Sequence, residues 1–481
     1  MFIVVPYLSK DPAVYGIYTV CLSVTIFLAY ADLGFLYPGN KFAAECYARG
    51  ERENEIEIVG FITYILIIFV SILSILIIYI SYRPELLFNN FINHEQIRIA
   101  HKLLLILALF APIIVIQRAV EMIYGIRLDN YIYQSILIIS NLIKIISVLY
   151  FFNNKYQIVE YYLFSQSLSA VALILILFYA KRKYNYNMKY LLRCVKFNRQ
   201  IFNKTKKLAF STIFLLATQI VYWEIDSIVI AKYYGASYVA IYSIGITVAS
   251  FLRNIFSVLY NPFNARINHF IGQNNSEGLK LMLDKIIVLT IPIVVLPICV
   301  LFFASENIIM TWVGISYQES IDIVRFFLLC YLFSFISYPA SMLLMAHQKN
   351  RQLIFIGLFM SIIYWLGIFF TSSIWGINSF AIFKFVVGIL LLPYYAYYLL
   401  RFLNIQVWKY ILRLVKPIII SILFSLLFLL FIKEDLPNTK STFSLFVVLI
   451  YCGIGIIIGF ITYYVLSDEF RKHLKLRFFH F

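Results

Sequence analysis

Apolar residues are arranged along this chain in long runs separated by short polar connections. Thirteen of the runs have about the 20-residue length that a helix needs to cross the hydrocarbon core of a bilayer. None shows the alternating pattern of a membrane β-strand. Because a segment in lipid must satisfy its own backbone hydrogen bonds, each run is predicted to be an α-helix. The predicted spans are residues 14–36, 58–82, 100–124, 132–152, 158–180, 208–233, 239–260, 283–304, 321–346, 353–374, 380–400, 411–431 and 444–466.

A further apolar segment at the start of the chain, residues 1–8, is too short to cross the membrane. Lys10, Asp11 and Pro12 follow it, and its length covers less than half of a ~30 Å hydrocarbon core. It has neither the basic beginning nor the small-residue end of a cleaved signal peptide. We interpret it as the far end of a spanning helix. The predicted fold is therefore an all-α membrane protein with about 14 transmembrane helices, the first of them truncated.

Composition agrees with a membrane protein. The 481 residues are 62% hydrophobic and 13% charged, with a mean hydropathy of +0.87, whereas soluble domains carry roughly a quarter charged residues. The net charge of +17 is dispersed over short loops and a C-terminal tail, which predicts contact with anionic membrane lipids and not with nucleic acid. The six cysteines form no CxxC pair, so neither a metal site nor a disulfide is predicted.

The most basic connection, residues 181–207, sets the predicted orientation. It holds ten lysine and arginine residues and no carboxylate, which is typical of a cytoplasmic loop under the positive-inside bias. With this loop in the cytoplasm, the other cytoplasmic connections are also the more basic ones, and both termini are cytoplasmic. Basic residues on the predicted cytoplasmic side include Arg127, Lys349, Arg351 and Arg401, and those on the opposite side include Lys10, Arg83 and Lys155.

The second half of the chain repeats the first. A shift of 224 residues pairs Ile17 with Ile241, Tyr18 with Tyr242, Pro38 with Pro262, and Asn40 with Asn264. The same shift sets Met1 opposite Ile225, inside a span, which agrees with the interpretation that the first helix lacks its opening portion. A parallel repeat of six spans, with an axis along the membrane normal, is a transporter architecture in which substrate binds between the halves.

The repeat predicts four parts. Residues 1–180 form an N-terminal lobe, residues 181–207 the basic cytoplasmic linker, and residues 208–400 a C-terminal lobe. Residues 401–481 hold two extra helices and a basic cytoplasmic tail.

Short motifs near the ends of several spans have the order and spacing of one transporter family. They are Gly16-Ile17-Tyr18, Asp32-Leu33-Gly34, Gln117 with Gly125, Asp226 followed by Gly235 and Ala240-Ile241-Tyr242, Pro262, and Thr311-Trp312-Val313-Gly314. Together they resemble the polysaccharide transporter family of the multidrug/oligosaccharidyl-lipid/polysaccharide exporter superfamily, and within it the Wzx-like O-antigen flippases.

The resemblance implies two pseudo-symmetric six-helix lobes around a V-shaped cavity, followed by two C-terminal helices. It also implies a bacterial inner-membrane protein of polysaccharide and lipopolysaccharide biosynthesis. The implied cargo is a polyprenyl-diphosphate-linked oligosaccharide, the repeat unit of O-antigen, capsule or exopolysaccharide, moved from the cytoplasmic to the periplasmic or outer leaflet. Other polysaccharide-assembly membrane proteins are implied partners. The truncated first helix departs from the family pattern, in which this helix lines the cavity.

Ionisable residues inside the predicted spans are the candidates for the substrate site. Each costs about 2.5 to 3.5 kcal/mol at mid-membrane on insertion scales and normally faces the bundle interior or a wet cavity. A diphosphate that leaves water needs cations and hydrogen-bond donors in place of its hydration. The predicted substrate-binding cations are Arg118, Lys144, Arg253 and Lys384, and the residues predicted for ion coupling or charge pairing are Glu121, Glu224 and Asp226.

Some of these residues also have simpler interpretations. Arg118 and Glu121 are three residues apart on one helix and would neutralise each other. Lys384, near the start of its helix, would extend to the lipid headgroups. Glu224 and Asp226 are two residues apart, so they point to different sides of their helix.

The predicted mechanism is alternating access driven by a proton or sodium gradient. No cofactor is expected, and the absence of a GxxxxGK[ST] phosphate loop argues against ATP as the energy source. Proline can bend a membrane helix, and the predicted hinges are Pro112, Pro292, Pro297, Pro339 and Pro393.

Two other functional classes stay open. A multidrug exporter of the same superfamily would be expected to have an acidic or neutral cavity for cationic drugs. A polysaccharide polymerase or ligase would need a sizeable external loop, whereas the external connections here are short. No HExxH, GxSxG or DxD element appears, so the protein is not predicted to be an enzyme.

Overall fold

The computed structural model describes residues 3–88, 93–153, 155–347, 349–405 and 407–475. Every regular element in these residues is a helix, which confirms the predicted all-α fold. The chain divides into two compact units, Met1–Ala240 and Ile241–Phe481. The end of the predicted basic tail, residues 476–481, lies outside the described residues.

The first unit is built mainly from long helices that pack side by side. α4 packs along α5, α6 along α7, and α2 against α5. The helices are α1 (Val5–Leu8), α2 (Pro12–Ala29), α3 (Leu36–Ala48), α4 (Arg52–Tyr82), α5 (His94–Ile126), α6 (Asn130–Phe152), α7 (Ile158–Tyr184), α8 (Met188–Cys194), α9 (Arg199–Trp223), α10 (Asp226–Tyr233) and the start of α11 (Ala236–Gly272).

The second unit continues from α11 and is organised around α12. From Ile286 onward that helix is apolar on nearly all sides, as expected for a helix buried among others. α18 and α19 pack against it and against each other. The helices are α12 (Ser276–Phe303), α13 (Ser305–Trp312), α14 (Ser320–Cys330), α15 (Ser334–Ala346), α16 (Asn350–Trp375), α17 (Asn378–Leu403), α18 (Val407–Phe431), α19 (Thr442–Leu466) and α20 (Asp468–Lys475).

Ten helices in the described part of the chain are long and apolar enough to cross a membrane. Two bent pairs, α9 with α10 and α14 with α15, raise the number to twelve if each pair is one span. The pairs bend by 42° and 50°. Each predicted span coincides in large part with a helix or a bent pair, so the chain is a multi-pass membrane protein. The count of fourteen stays a prediction, because α1 has four residues and α2 has only a short apolar stretch.

The predicted span 14–36 ends earlier than expected, at Ala29. A turn follows, in which Leu33 and Gly34 have positive φ angles of 45° and 70°. The Asp32 carboxylate accepts a hydrogen bond from the backbone N–H of Leu36 at 3.0 Å and thereby closes the turn before α3. Glycine suits position 34 because its φ is left-handed and because a Cβ there would lie 2.8 Å from the backbone oxygen of Ala209 in α9.

Helix boundaries agree with the predicted repeat. The shift of 224 residues carries the start of α2 and the end of α3 onto the start and end of α11. It also carries the start of α4 onto the start of α12 and sets α1 within α10. The correspondence therefore extends beyond the four matched residue pairs to whole elements. The main difference is the turn at Asp32-Leu33-Gly34, since α11 continues without interruption where α2 and α3 are separate.

The basic connection is largely helical and is attached to the first unit. α7 continues to Tyr184, α8 occupies its middle, and α9 begins at Arg199. The Tyr190 hydroxyl of α8 donates a hydrogen bond to Glu57 of α4 at 3.1 Å. Gly60 of α4 lies so close to the end of α8 that a Cβ there would be 2.7 Å from the Cys194 Cβ and backbone oxygen. The absence of a side chain at Gly60 therefore permits this docking.

Substitution of Gly60 by valine is expected to detach α8 from α4, because the new side chain would collide with the Cys194 backbone. Limited trypsin digestion of membranes should then cleave at the exposed Lys189 and Arg193 several-fold faster than in the unmodified protein. The matched control is Gly453→Val, since a Cβ at Gly453 meets no atom within 4 Å. Equal cleavage rates for the two variants would contradict the described docking.

Candidate functional site

Arg118 and Glu121 form an ion pair on α5. The Arg118 Nη1 and Glu121 Oε2 atoms are 2.9 Å apart, and both side chains are partly exposed. The sequence allowed two interpretations of Arg118, a substrate-binding cation or a residue neutralised by Glu121, and this ion pair corresponds to the second. Arg118 is also within electrostatic reach of Asp32 in the turn before α3. Contact between Arg118 and substrate stays a proposal.

Lys144 lies on α6 and turns toward α7. Its Nζ donates a hydrogen bond to the Ser169 hydroxyl at 2.7 Å, and that hydroxyl donates to the Ser165 backbone oxygen at 2.9 Å. The lysine is half-buried. Its hydrogen-bond partner is neutral, so the interaction orients the ammonium without cancelling its charge.

Glu224 and Asp226 stand at the bend between α9 and α10. α9 ends at Trp223, and α10 begins at Asp226 after a 42° change of direction. Asp226 is buried and Glu224 is half-buried. That they point to different sides of one helix stays a prediction, since the helix is broken between them. α10 packs on α2. Gly16 of α2 permits the close approach of this segment, because a Cβ there would overlap the backbone oxygen of Ala236.

Arg253 and Lys384 lie on two different helices of the second unit, and each is within electrostatic reach of the end of α14. Arg253, half-buried on α11, is within electrostatic reach of Tyr331, where α14 ends. Lys384, buried on α17, has the same relation to Cys330, the last residue of α14. Both predicted cations therefore lie near the 50° bend between α14 and α15.

Lys384 is held by an aromatic ring. Its Nζ lies 4.5 Å from the ring centroid of Tyr364 on α16, and the side chain is 2% exposed. A cation–π contact of this kind is worth about 2 kcal/mol or more when desolvated. The structure therefore places Lys384 inside the helix packing, whereas the alternative interpretation extended it to the headgroups.

A buried ion pair between Glu55 and Arg127 was not predicted. Glu55 lies in the first turn of α4 and Arg127 directly after α5, and their Oε1 and Nη2 atoms are 2.8 Å apart. The side chains are 0% and 2% exposed. The Arg127 guanidinium also lies 4.8, 5.0 and 5.2 Å from the ring centroids of Tyr47, Tyr184 and Tyr186. Arg127 therefore joins α3, α4 and α5 to the end of α7.

Asp129 strengthens the same junction. It accepts hydrogen bonds from the Lys183 ammonium at 2.8 Å and from the Tyr184 hydroxyl at 2.6 Å. These two hydrogen bonds, that of Lys183 first, hold the pKa of Asp129 below its ordinary value. The beginning of the basic connection is thus fixed to the first unit by charge as well as by packing.

The described residues contain no group of three or more histidine, cysteine, aspartate or glutamate side chains arranged to hold a metal ion. The candidate site residues are cations and carboxylates. Some lie near a helix bend, whereas Arg118, Glu121 and Lys144 lie within continuous helices.

A family model described as Polysaccharide biosynthesis protein matches residues 1–267, and a second model, MatE, matches residues 212–370.

Among solved structures, the lipid II flippase MurJ in an inward closed conformation has a TM-score of 0.66 and 17% sequence identity. The match covers 98% of this chain and 99% of the MurJ chain. An inward-facing multidrug resistance MATE family transporter of the MOP superfamily has a TM-score of 0.64 and 14% identity, covering 84% and 95%. These likenesses show the fold. No curated protein sequence gives a significant match.

Removal of the Glu55 charge is expected to destabilise the protein, because Arg127 would stay buried without its carboxylate. Breaking one side of a buried ion pair costs about 3–5 kcal/mol. Glu55→Gln should therefore lower the thermal unfolding temperature of the purified protein clearly. Glu51→Gln is the matched control, since Glu51 pairs with Arg49 at the surface and little change is expected there.

A double variant tests the cause of that loss. Glu55→Leu combined with Arg127→Met removes both charges and should recover part of the stability lost by Glu55→Gln. Equal unfolding temperatures for Glu55→Gln and Glu51→Gln would refute a stabilising role of the pair.

Proposed function

This chain belongs to the polysaccharide biosynthesis protein family, whose model covers residues 1–267, and from that premise we propose that it flips a polyprenyl-diphosphate-linked oligosaccharide across the bacterial inner membrane. The predicted membership of the exporter superfamily is confirmed, since the chain shares its fold with a lipid II flippase and a MATE transporter. Both of these are named for transport and not for an enzymatic reaction. Lipid II is named as the cargo of that flippase alone; the cargo proposed here rests on the family and on the charges of this chain.

The observation that carries the proposal is the approach of Arg253 and Lys384 to the bend between α14 and α15. A diphosphate brings about two negative charges, which must exchange water for cations and donors before they enter a low-dielectric region. Discontinuous helices form the substrate sites of several transporter folds. The two cations near such a bend support the assignment of the diphosphate headgroup to this part of the second unit.

Lys144 and Arg118 are the proposed headgroup-binding cations of the first unit. The described hydrogen-bond partner of Lys144 is a hydroxyl, which carries no opposite charge. Arg118 is paired with Glu121, so its attraction for the diphosphate would be smaller. In alternating access, these residues would receive the diphosphate from one leaflet and release it to the other, while the polyprenyl chain stays in lipid.

Glu224 and Asp226 are proposed as the ion-coupling residues. They flank the bend between α9 and α10, where a change of protonation or sodium occupancy would act on the angle between two helix segments. Asp226 is 1% exposed, so its carboxylate is shielded from bulk water. This arrangement supports the proposal that transport is coupled to a proton or sodium gradient. Both termini are proposed to lie in the cytoplasm.

Charge reversal at Lys144 is expected to abolish transport. In a strain that lacks its own O-antigen flippase, Lys144→Glu should reduce surface polysaccharide at least tenfold, because the added carboxylate repels the diphosphate. Arg253→Glu should have the same effect, while Lys144→Arg should retain much of the activity. Surface polysaccharide is measured by gel analysis, with protein level and unfolding temperature as folding controls.

The matched control is Lys155→Glu, since Lys155 is exposed in the connection after α6. It should leave surface polysaccharide unchanged. Full complementation by Lys144→Glu and Arg253→Glu, at normal protein level, would defeat the assignment of these cations to the cargo.

A multidrug exporter is the second candidate function. The MatE model matches residues 212–370, and a MATE transporter shares the fold. The basic character of the candidate site argues against cationic drugs as cargo, because like charges repel. Expression in a strain without drug efflux pumps is therefore expected to leave ethidium tolerance within about twofold of the empty vector. A rise of several-fold, without complementation of a flippase-deficient strain, would favour drug export.

A further inference from the structure

α16 and α17 hold between them a groove that the proposed transport function does not use. Its volume is about 480 Å³, within the ~300–1,000 Å³ range of small-ligand sites. Phe355, Ile356 and Phe359 of α16 and Leu390 and Leu391 of α17 line it. Ile356 and Leu391 are 8% and 6% exposed and form the floor, whereas Phe355 is 71% exposed and stands at the rim. The groove therefore suits a narrow hydrocarbon chain.

Polar side chains line one end of the groove. Arg351 and Gln352 lie there, in the first turn of α16, and the Tyr394 hydroxyl of α17 donates a hydrogen bond to the Gln352 side-chain oxygen at 3.3 Å. From Arg351 to Phe359 the helix rises by about 12 Å. The site thus has a charged end at the start of a spanning helix and an apolar length that continues toward the membrane interior.

Further positive charge surrounds the Arg351 end. The Lys349 Nζ lies 4.7 Å from the ring centroid of Tyr398 on α17. The Arg401 Nη1, one turn further along α17, donates a hydrogen bond to the Tyr397 hydroxyl at 2.9 Å. Tyrosines thus hold two of the basic side chains, an arrangement typical of residues at a membrane–water interface.

Carboxylates are absent from this stretch of sequence. No aspartate or glutamate occurs between Asp322 and Glu434. In the described part of the chain, none of the three basic residues forms an ion pair. Burial, with a smaller effect of Lys349, lowers the pKa of the neighbouring His347, so this histidine adds no charge at neutral pH. The permanent charge comes from Lys349, Arg351 and Arg401.

We propose that this groove binds an anionic phospholipid, with one acyl chain between α16 and α17 and the phosphate on Arg351. A hydrocarbon groove cannot by itself select one lipid, because every lipid tail in the bilayer is equally apolar. Selection must therefore come from the headgroup. The Arg351 guanidinium matches a phosphate in shape and charge, and Lys349 and Arg401 favour a lipid with net negative charge.

Photo-crosslinking of the full-length protein in nanodiscs tests the proposal. The probes are phosphatidylglycerol and phosphatidylcholine with identical acyl chains, one of which carries a diazirine. Mass spectrometry should map phosphatidylglycerol adducts to Phe355, Phe359 and Leu390, several-fold more often than phosphatidylcholine adducts. Arg351→Gln should reduce the phosphatidylglycerol adducts about fivefold, the effect expected for one charge near a membrane surface, and leave the phosphatidylcholine adducts unchanged.

Three controls complete the test. Arg83→Gln removes an exposed arginine on the opposite predicted side and should change nothing, while Arg351→Lys should retain part of the preference. Leu390→Trp fills the groove and should reduce adducts of both lipids. Equal labelling by both probes, or an undiminished preference in Arg351→Gln, would overturn the proposal. So would displacement of phosphatidylglycerol by equimolar undecaprenyl phosphate, which would assign the groove to a polyprenyl lipid.

Discussion

A charge placed among membrane helices must be compensated within a few ångströms, and this constraint explains much of the structure. Arg127 meets it with the Glu55 carboxylate and three tyrosine rings, and the result is a neutral, buried junction. Lys144 meets it with a serine hydroxyl, which satisfies a donor and leaves the positive charge in place. A basic side chain paired with a carboxylate, such as Arg127, therefore stabilises the helix packing. A basic side chain whose partner is neutral, such as Lys144, can still attract an anionic ligand.

In each unit, some of the charges proposed for the site lie near a helix bend. Glu224 and Asp226 flank one bend, and Arg253 and Lys384 approach the other. The prolines predicted as hinges are not at either bend, because the helices that contain them continue past each one. A proline removes one backbone hydrogen bond and leaves the helix continuous, whereas at the two bends the helix direction changes by 42° and 50°. The breaks are thus the stronger candidates for both binding and movement.

Features that depend on neighbouring residues could be predicted from the sequence, and features that depend on helix packing could not. Hydropathy located the spans, and the spacing of Arg118 and Glu121 suggested their pair. The contact of Lys384 with Tyr364 joins two helices, and no sequence pattern indicates which ring a lysine will meet. The pairing of Glu55 with Arg127 has no sequence signal for a further reason: the two residues are 72 positions apart, and the positive-inside bias alone accounts for an arginine in a loop at position 127.

A basic residue can affect the orientation of the protein in the membrane without adding to the surface charge of the folded protein. The positive-inside bias depends on lysine and arginine near the ends of spans, with little contribution from acidic residues. Arg127 therefore supports the predicted orientation although Glu55 cancels its charge in the folded protein. The basic residues at the start of α16 and the end of α17 support that orientation and also keep their charge at the surface. The net charge of +17 already counts Glu55 against Arg127, so the Arg127 junction adds nothing to the attraction to anionic lipid. That attraction concentrates where basic residues lack carboxylate neighbours.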